Sequence, residues 1–147
     1  MRTTEYSIEI DRPLDVVYDF SVDPSHMSEW LVDDKKQLFV DDGPLAPGSR
    51  YRIQQGEGGN NRRTFVYEVV ALEPMAQVTV RTSGRLLTYT AHRRYVDNNG
   101  KSTVTEVIEM EDPPGLSKPL GGFMLGRIKK VRQQNLQRLK NIVEQQG

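Results

Sequence analysis

Leu116 to Gln146 carries apolar residues at Leu125, Ile128, Val131, Leu136, Leu139, Ile142 and Val143, the three-and-four spacing of a helix with one buried face. At a rise of about 1.5 Å per residue this helix runs roughly 40 Å or more, enough to cross a small domain. Most of what precedes it reads as strands. A lone long helix that follows one curved antiparallel sheet buries its apolar stripe on the concave side, because neither apolar face can stay wet. Helix and sheet then enclose a hollow. The expectation is a cavity that holds a ligand.

The strands follow from alternation and from turn formers. Thr4 to Ile10 sets Tyr6, Ile8 and Ile10 on one side. Asp11 is expected to cap a helix with Pro13 in its first turn and an apolar face of Val16, Val17 and Phe20. Asp23-Pro24 ends it, and a second short helix carries Met27 and Trp30. Further strands are expected at Lys36 to Val40, Arg50 to Gln54, Thr64 to Leu72, Gln77 to Thr82, Leu86 to Val96 and Ser102 to Met110. Glu57 to Asn61 makes a hairpin, Asp97 to Gly100 makes another, and Asp41 to Gly48 is a loop dense in turn formers. The fold class is α+β, one domain over residues 1–147.

The last hairpin gives the facing. Leu87, Tyr89, Ala91, Arg93 and Tyr95 share one face, and Val104, Ile108 and Met110 share another that carries Glu106 with it. A four-residue turn pairs Arg93 with Val104 and Ala91 with Glu106, which puts both apolar sets on one side of the sheet. An acid, Glu106, therefore points inward beside Arg93 and Tyr89. His92 faces out.

Charge is balanced in total but not along the chain. Arg127 to Lys140 holds the cations Arg127, Lys129, Lys130, Arg132, Arg138 and Lys140 with no acid between them. With no aromatic residue among them to stack a base, they read as a solvated outer helix face, and no nucleic-acid partner is expected. No stretch has the length and apolarity of a membrane span, so no integral membrane association is expected. The chain has no cysteine, which removes disulfides and thiolate metal sites and fits a cytoplasmic location. The sequence leaves the oligomeric state open.

Ile8-Glu9-Ile10-Asp11-Arg12-Pro13 with Val16-Val17-Tyr18-Asp19-Phe20 resembles the opening of the START-like (SRPBCC) superfamily. Asp23-Pro24 with Trp30, Gly43-Pro44 with Pro47-Gly48-Ser49, Glu73-Pro74, and Leu136-Gln137-Arg138-Leu139-Lys140 with Glu144 resemble its later landmarks, in the same order. The nearest branch by this resemblance is the bacterial polyketide cyclase/dehydrase type. The resemblance implies a helix-grip fold: a seven-stranded antiparallel sheet curved around the long C-terminal helix, with two short helices between strands 1 and 2. It implies no single activity, because fold does not settle function.

Glu106, Arg93 and Tyr89 are the candidate chemical groups. A carboxylate in an apolar cavity can move a proton, and a cation and a phenol can steady an enolate. The structural alternative is a buried ion pair of Glu106 with Arg93 that satisfies itself, or Glu106 reaching the cavity rim. The expected ligand-binding residues are Tyr51, Ile53, Tyr67, Val69, Val78, Val80, Tyr89, Arg93, Glu106, Ile108, Leu120, Phe123 and Met124. Gly121-Gly122 either permits close packing or lets this end of the helix yield to a ligand. His26 and Glu29 share a helix face but supply too few ligands for a metal, and no cofactor is expected. The function expected is binding of a hydrophobic small molecule, lipid-like or aromatic, in the cavity. The alternative is a polyketide cyclase/aromatase or dehydratase working by proton transfer there.

Overall fold

The computed structural model describes residues 1–33, 35–55, 64–83, 87–112, 115 and 117–146. In chain order the elements are β1 (Arg2–Ile10), α1 (Leu14–Val22), α2 (Met27–Trp30), β2 (Lys36–Val40), β3 (Arg50–Gln55), β4 (Thr64–Glu73), β5 (Gln77–Ser83), β6 (Thr88–Asn98), β7 (Lys101–Glu111) and α3 (Lys118–Gln145). The strands form a seven-stranded sheet in the order β1-β7-β6-β5-β4-β3-β2, and each adjacent pair is antiparallel. This is the expected helix-grip architecture. The expected hairpin at Glu57 to Asn61, and the expected starts at Leu86 and Leu116, lie outside the described residues.

Alternation along the strands decides what the sheet buries. Tyr6 and Ile10 of β1, Tyr89, Ala91, Arg93 and Tyr95 of β6, and Val104, Glu106, Ile108 and Met110 of β7 are all buried. They belong to one inner face, as the periodicity predicts. The β6–β7 partners differ from expectation by two residues: Arg93 faces Glu106, Ala91 faces Ile108 and Asn98 faces Lys101. The turn is thus only Asn99-Gly100, both with positive φ (55° and 87°), the backbone demanded by a two-residue hairpin. A slip of two preserves parity, so every face stays as derived.

Pro13, rather than Asp11, precedes the first helical residue, and no side chain caps α1. Asp11 is otherwise engaged: its backbone N–H donates to Glu144 Oε2 at 2.8 Å. That bond is one of several that fasten α3 along β1. At the far end Arg2 donates to the Lys118 carbonyl (2.7 Å) and to Asp112 Oδ1 (2.8 Å). At the near end Lys140 Nζ donates to the Glu9 carbonyl (2.8 Å) and Arg12 Nη1 to the Val143 carbonyl (2.5 Å). Start meets start and end meets end, so α3 runs in the same direction as β1.

The buried stripe of α3 is Gly121, Leu125, Arg132, Asn135, Leu136, Leu139 and Val143. Val131, expected on the apolar face, is exposed, and its neighbour Arg132 takes the inward position. From Leu125 an inward position recurs at seven residues, at Arg132 and again at Leu139, two helical turns apart each time. Val131 lies about 100° away from that line.

Gly121 answers the question its position raised. A Cβ built there would sit 2.6 Å from Arg2 Nε and 2.9 Å from Asp112 Oδ1. The glycine lets the Arg2–Asp112 pair lie across the helix, which favours close packing over a yielding end. Nothing lies within 4 Å of a Cβ at Gly126. Gly126→Ala should therefore raise stability by about 0.5–1 kcal/mol through helix propensity alone. Gly121→Ala should show none of that gain, because Arg2 must leave its partners. Urea denaturation midpoints of the two variants check the contrast.

Candidate ligand-binding site

Two hydrogen-bonded clusters occupy the inner face between sheet and helix. The first centres on Glu106 of β7, which is 1% exposed. Its Oε1 accepts from Tyr6 OH of β1 at 2.8 Å and from Arg132 Nε of α3. Arg132 Nη1 also reaches Tyr89 OH at 3.4 Å, and Tyr89 OH shares a 2.7 Å hydrogen bond with Tyr67 OH of β4. Tyr67 in turn stacks on Tyr51 of β3, ring centroids 5.0 Å apart and nearly parallel. A polar line thus crosses from β1 to β4, with its middle held by the helix through Arg132.

The second cluster centres on Arg93 of β6, 4% exposed. Its Nε donates to Tyr95 OH at 2.6 Å, and that hydroxyl also bonds Ser21 Oγ of α1 at 2.6 Å. The guanidinium carbon lies 4.9 Å from the centre of the Trp30 ring. Arg93 and Glu106 are cross-strand partners by backbone register, yet the side chain that pairs with Glu106 is Arg132. The expected Glu106–Arg93 ion pair is corrected accordingly. Arginine is longer than the strand spacing needs, and Arg93 turns toward Trp30, where its plane can lie on an aromatic face.

Of the other expected binding residues, Tyr51, Tyr67, Val69, Val78, Val80 and Ile108 are buried on the inner face, and Ile53 and Met124 pack half-buried against them. Leu120 and Phe123 are 46% and 60% exposed, so the structure corrects their expected inward position. They fall on the outer side of the first turns of α3, where the Arg127 guanidinium lies 6.0 Å from the Phe123 ring. Arg132 is the residue the sequence reading missed, through its membership in a run of cations. Its place on the seven-residue recurrence with Leu125 and Leu139 was the available signal. His92 does lie on the outer face, bridging Thr79 Oγ1 (3.0 Å) and Glu109 Oε1 (2.5 Å). His26 Nδ1 bonds Glu29 Oε2 at 2.5 Å. Among the described residues no group of three or more metal-ligating side chains comes together.

A groove of about 760 Å³ opens elsewhere, among Ser28, Val32, Lys36, Leu38, Phe39 and Arg138. It shares no residue with either cluster. Its lining mixes exposed cations and acids with little enclosure, whereas the inner face offers buried groups with directed donors, the combination that orients a small molecule. The inner face is therefore the candidate site.

Burial governs the titration of these groups. It is the leading cause that pushes the Tyr51 phenol up to about 12 and the Tyr67 phenol well above its ordinary range. Burial, then the Glu106 charge, raises Tyr6 likewise. These phenols stay protonated, and that of Tyr6 donates to Glu106. Burial opposes the charge on Arg132, but Glu106 together with the Tyr89 and Tyr6 phenols outweighs it and holds the guanidinium firmly protonated.

The family assignment follows from the sequence as a whole. The family model described as polyketide cyclase / dehydrase and lipid transport matches residues 1–144. The chain belongs to that family. No protein of curated function matches the sequence. Solved structures share the fold at low identity. Ara h 8.0201 is 14% identical with a TM-score of 0.78, over 97% of each chain. The protein of unknown function SA2116 from Staphylococcus aureus is 11% identical with a TM-score of 0.73, over 99% of this chain and 96% of its own. DynU16, from the dynemicin biosynthetic locus, is 18% identical with a TM-score of 0.70, over 97% of this chain and 47% of its own. At such identities the likeness is one of fold. No helix among the described residues is long and apolar enough to cross a membrane.

Two predictions follow from the buried groups. Glu106→Gln leaves Arg132 without a counter-charge and should cost about 3–5 kcal/mol in chemical denaturation, a loss largely relieved in Glu106→Gln/Arg132→Met. The second concerns alkali. The raised tyrosines bind their protons more tightly folded than unfolded, so their contribution to stability is complete below the ordinary phenol range near pH 10 and declines as pH climbs above it. Absorbance titration at 295 nm should show Tyr6, Tyr51 and Tyr67 ionising together with unfolding, at higher pH than free tyrosine does.

Proposed function

We propose that this protein binds a hydrophobic small molecule, lipid-like or aromatic, between the inner face of the sheet and α3. The observation that carries this reading is the line Tyr67–Tyr89–Arg132–Glu106–Tyr6 set within apolar walls of Val69, Val80, Ile108 and Leu136. An apolar core has no need of so many directed polar groups, whereas a carbon-lined site needs a few to orient an oxygen-bearing ligand. The family description, which joins lipid transport to cyclase and dehydrase activity, supports the same reading.

One observation favours a second reading. Both bonds to Glu106 fall on Oε1, and among the described residues Oε2 has none. In this reading that oxygen accepts a proton from a ligand carbon while the phenols donate to a developing enolate, the work of a cyclase or dehydratase. DynU16, a protein from a biosynthetic locus, shares the fold and gives this reading some context.

The neutral fluorescent probe N-phenyl-1-naphthylamine should bind saturably and be displaced by fatty acids or polycyclic aromatics. Met124→Trp, which adds bulk at a half-buried position against the core, should lower probe affinity at least several-fold and leave the melting temperature within a few degrees. Unsaturable binding, or unchanged affinity in that variant, counts against a site beside Met124. For the second reading, a linear poly-ketone should be dehydrated or cyclised by the protein, and Glu106→Gln should abolish the reaction.

A further inference from the structure

Among the described residues the buried ionic side chains are Arg93, Glu106 and Arg132. Glu106 forms its ion pair with Arg132, and no described carboxylate lies within ion-pair distance of Arg93. The three charges sum to one positive charge in the interior. Arg93 has a single hydrogen bond, from Nε to Tyr95 OH, so its two terminal nitrogens donate to no described protein atom. The rings of Trp30 and Tyr95 lie 4.9 and 5.7 Å from the guanidinium carbon and soften the burial of the charge without neutralising it.

A second orphan stands beside it. Trp30 is 1% exposed, and its Nε1 is the buried side-chain polar atom that finds no partner among the described residues. Indole N–H and guanidinium N–H are donors only. The indole Nε1 is fully sealed, whereas the terminal nitrogens of Arg93, on a side chain 4% exposed, keep a little accessible surface. Both are donors without a described acceptor on side chains in contact, and a group that only accepts would serve both. A carboxylate meets that need and also cancels the unbalanced charge, and a planar guanidinium fork suits it in geometry.

We infer that Arg93, with the Trp30 indole beside it, anchors the acidic group of the ligand, so that this protein selects apolar molecules ending in a carboxylate over neutral molecules of the same shape. The inference rests on the ligand site proposed above and names the class of ligand that site takes. It also gives a direction: the acid lies at the α2 side of the site, and the carbon body runs toward the tyrosines of β3 and β4.

The test is displacement of bound N-phenyl-1-naphthylamine by decanoate and by decanol, which share a chain and differ in charge. The wild-type protein should respond to decanoate at concentrations at least tenfold lower than to decanol. Arg93→Met should bring the two within twofold by weakening decanoate alone, and its melting temperature should not fall, since an unpaired buried charge has been removed. Arg93→Gln keeps a donor for Tyr95 and gives the same reading should the methionine variant fold poorly. Displacement of the probe equally by acid and alcohol overturns the anchor while leaving the ligand site standing. A wild-type protein that does not bind the probe overturns both. A preference that survives in both Arg93 variants, or that vanishes instead in Lys129→Gln/Lys130→Gln, places the anion elsewhere and overturns the assignment.

Discussion

The Arg132–Glu106 pair sets the rotation of α3 against the sheet. Turning the helix by one residue would bury Val131 and expose Arg132, a gain in apolar burial by itself. It would also leave Glu106 charged at 1% exposure with the Tyr6 hydroxyl but no counter-charge bonded to it, a penalty of several kcal/mol that a valine cannot offset. Only the observed rotation satisfies the acid. Leu125, Leu136, Leu139 and Val143 then fall inward with it, and the backbone bonds of Lys140 and Arg12 meet β1 at the right height.

Once the helix is fixed, the inner face divides into two polar clusters with different characters. The Glu106 cluster is internally balanced in charge, and tyrosines extend it across four strands, with burial keeping Tyr6, Tyr51 and Tyr67 protonated. The Arg93 cluster is not balanced. It joins β6 to both short helices, through Ser21 of α1 and Trp30 of α2, and Arg138 of α3 closes the same corner by donating to the Trp30 carbonyl at 3.2 Å. The short helices therefore do more than fill the open end of the sheet. They carry the Trp30 ring that lies against Arg93 and the Ser21 hydroxyl that holds its partner Tyr95 in place.

The strands and the inward facing of Glu106 were legible because alternation has period two and the hairpin parity survives a two-residue error. The exact cross-strand partner was not, since Asp97-Asn98-Asn99-Gly100 can turn over four residues or over its last two, and the positive φ at Asn99 and Gly100 decides for the shorter. Arg132 was hidden for another reason. Composition marks a cation as a surface residue, and only its place in line with Leu125 and Leu139 marks it as inward. Leu120 and Phe123 show the reverse error, apolar residues taken as lining that the first turns of α3 present to the outside. Trp30 could be placed on α2 from sequence, but its contact with Arg93 joins residues from distant parts of the chain and needs the fold.

The same hydrogen bonds bear on whether the site holds or transforms its ligand. A general base must take a proton and give it back, and Glu106 can take one only by weakening its hold on Arg132, which would then sit buried with its counter-charge gone. That penalty is of the size of a buried charge, several kcal/mol, and any turnover would meet it at the proton-transfer step. A ligand that merely accepts hydrogen bonds from Tyr89 or Tyr67 disturbs none of this. The Tyr67 phenol, raised by burial, remains protonated throughout the neutral range, and the ion pair keeps the helix seated while the apolar walls take up the carbon body. Holding a ligand uses the site as it is built. Catalysis would need the ligand itself to replace the charge that Arg132 loses, so a cyclase working here would require an enolate stabilised within reach of that guanidinium as the proton leaves.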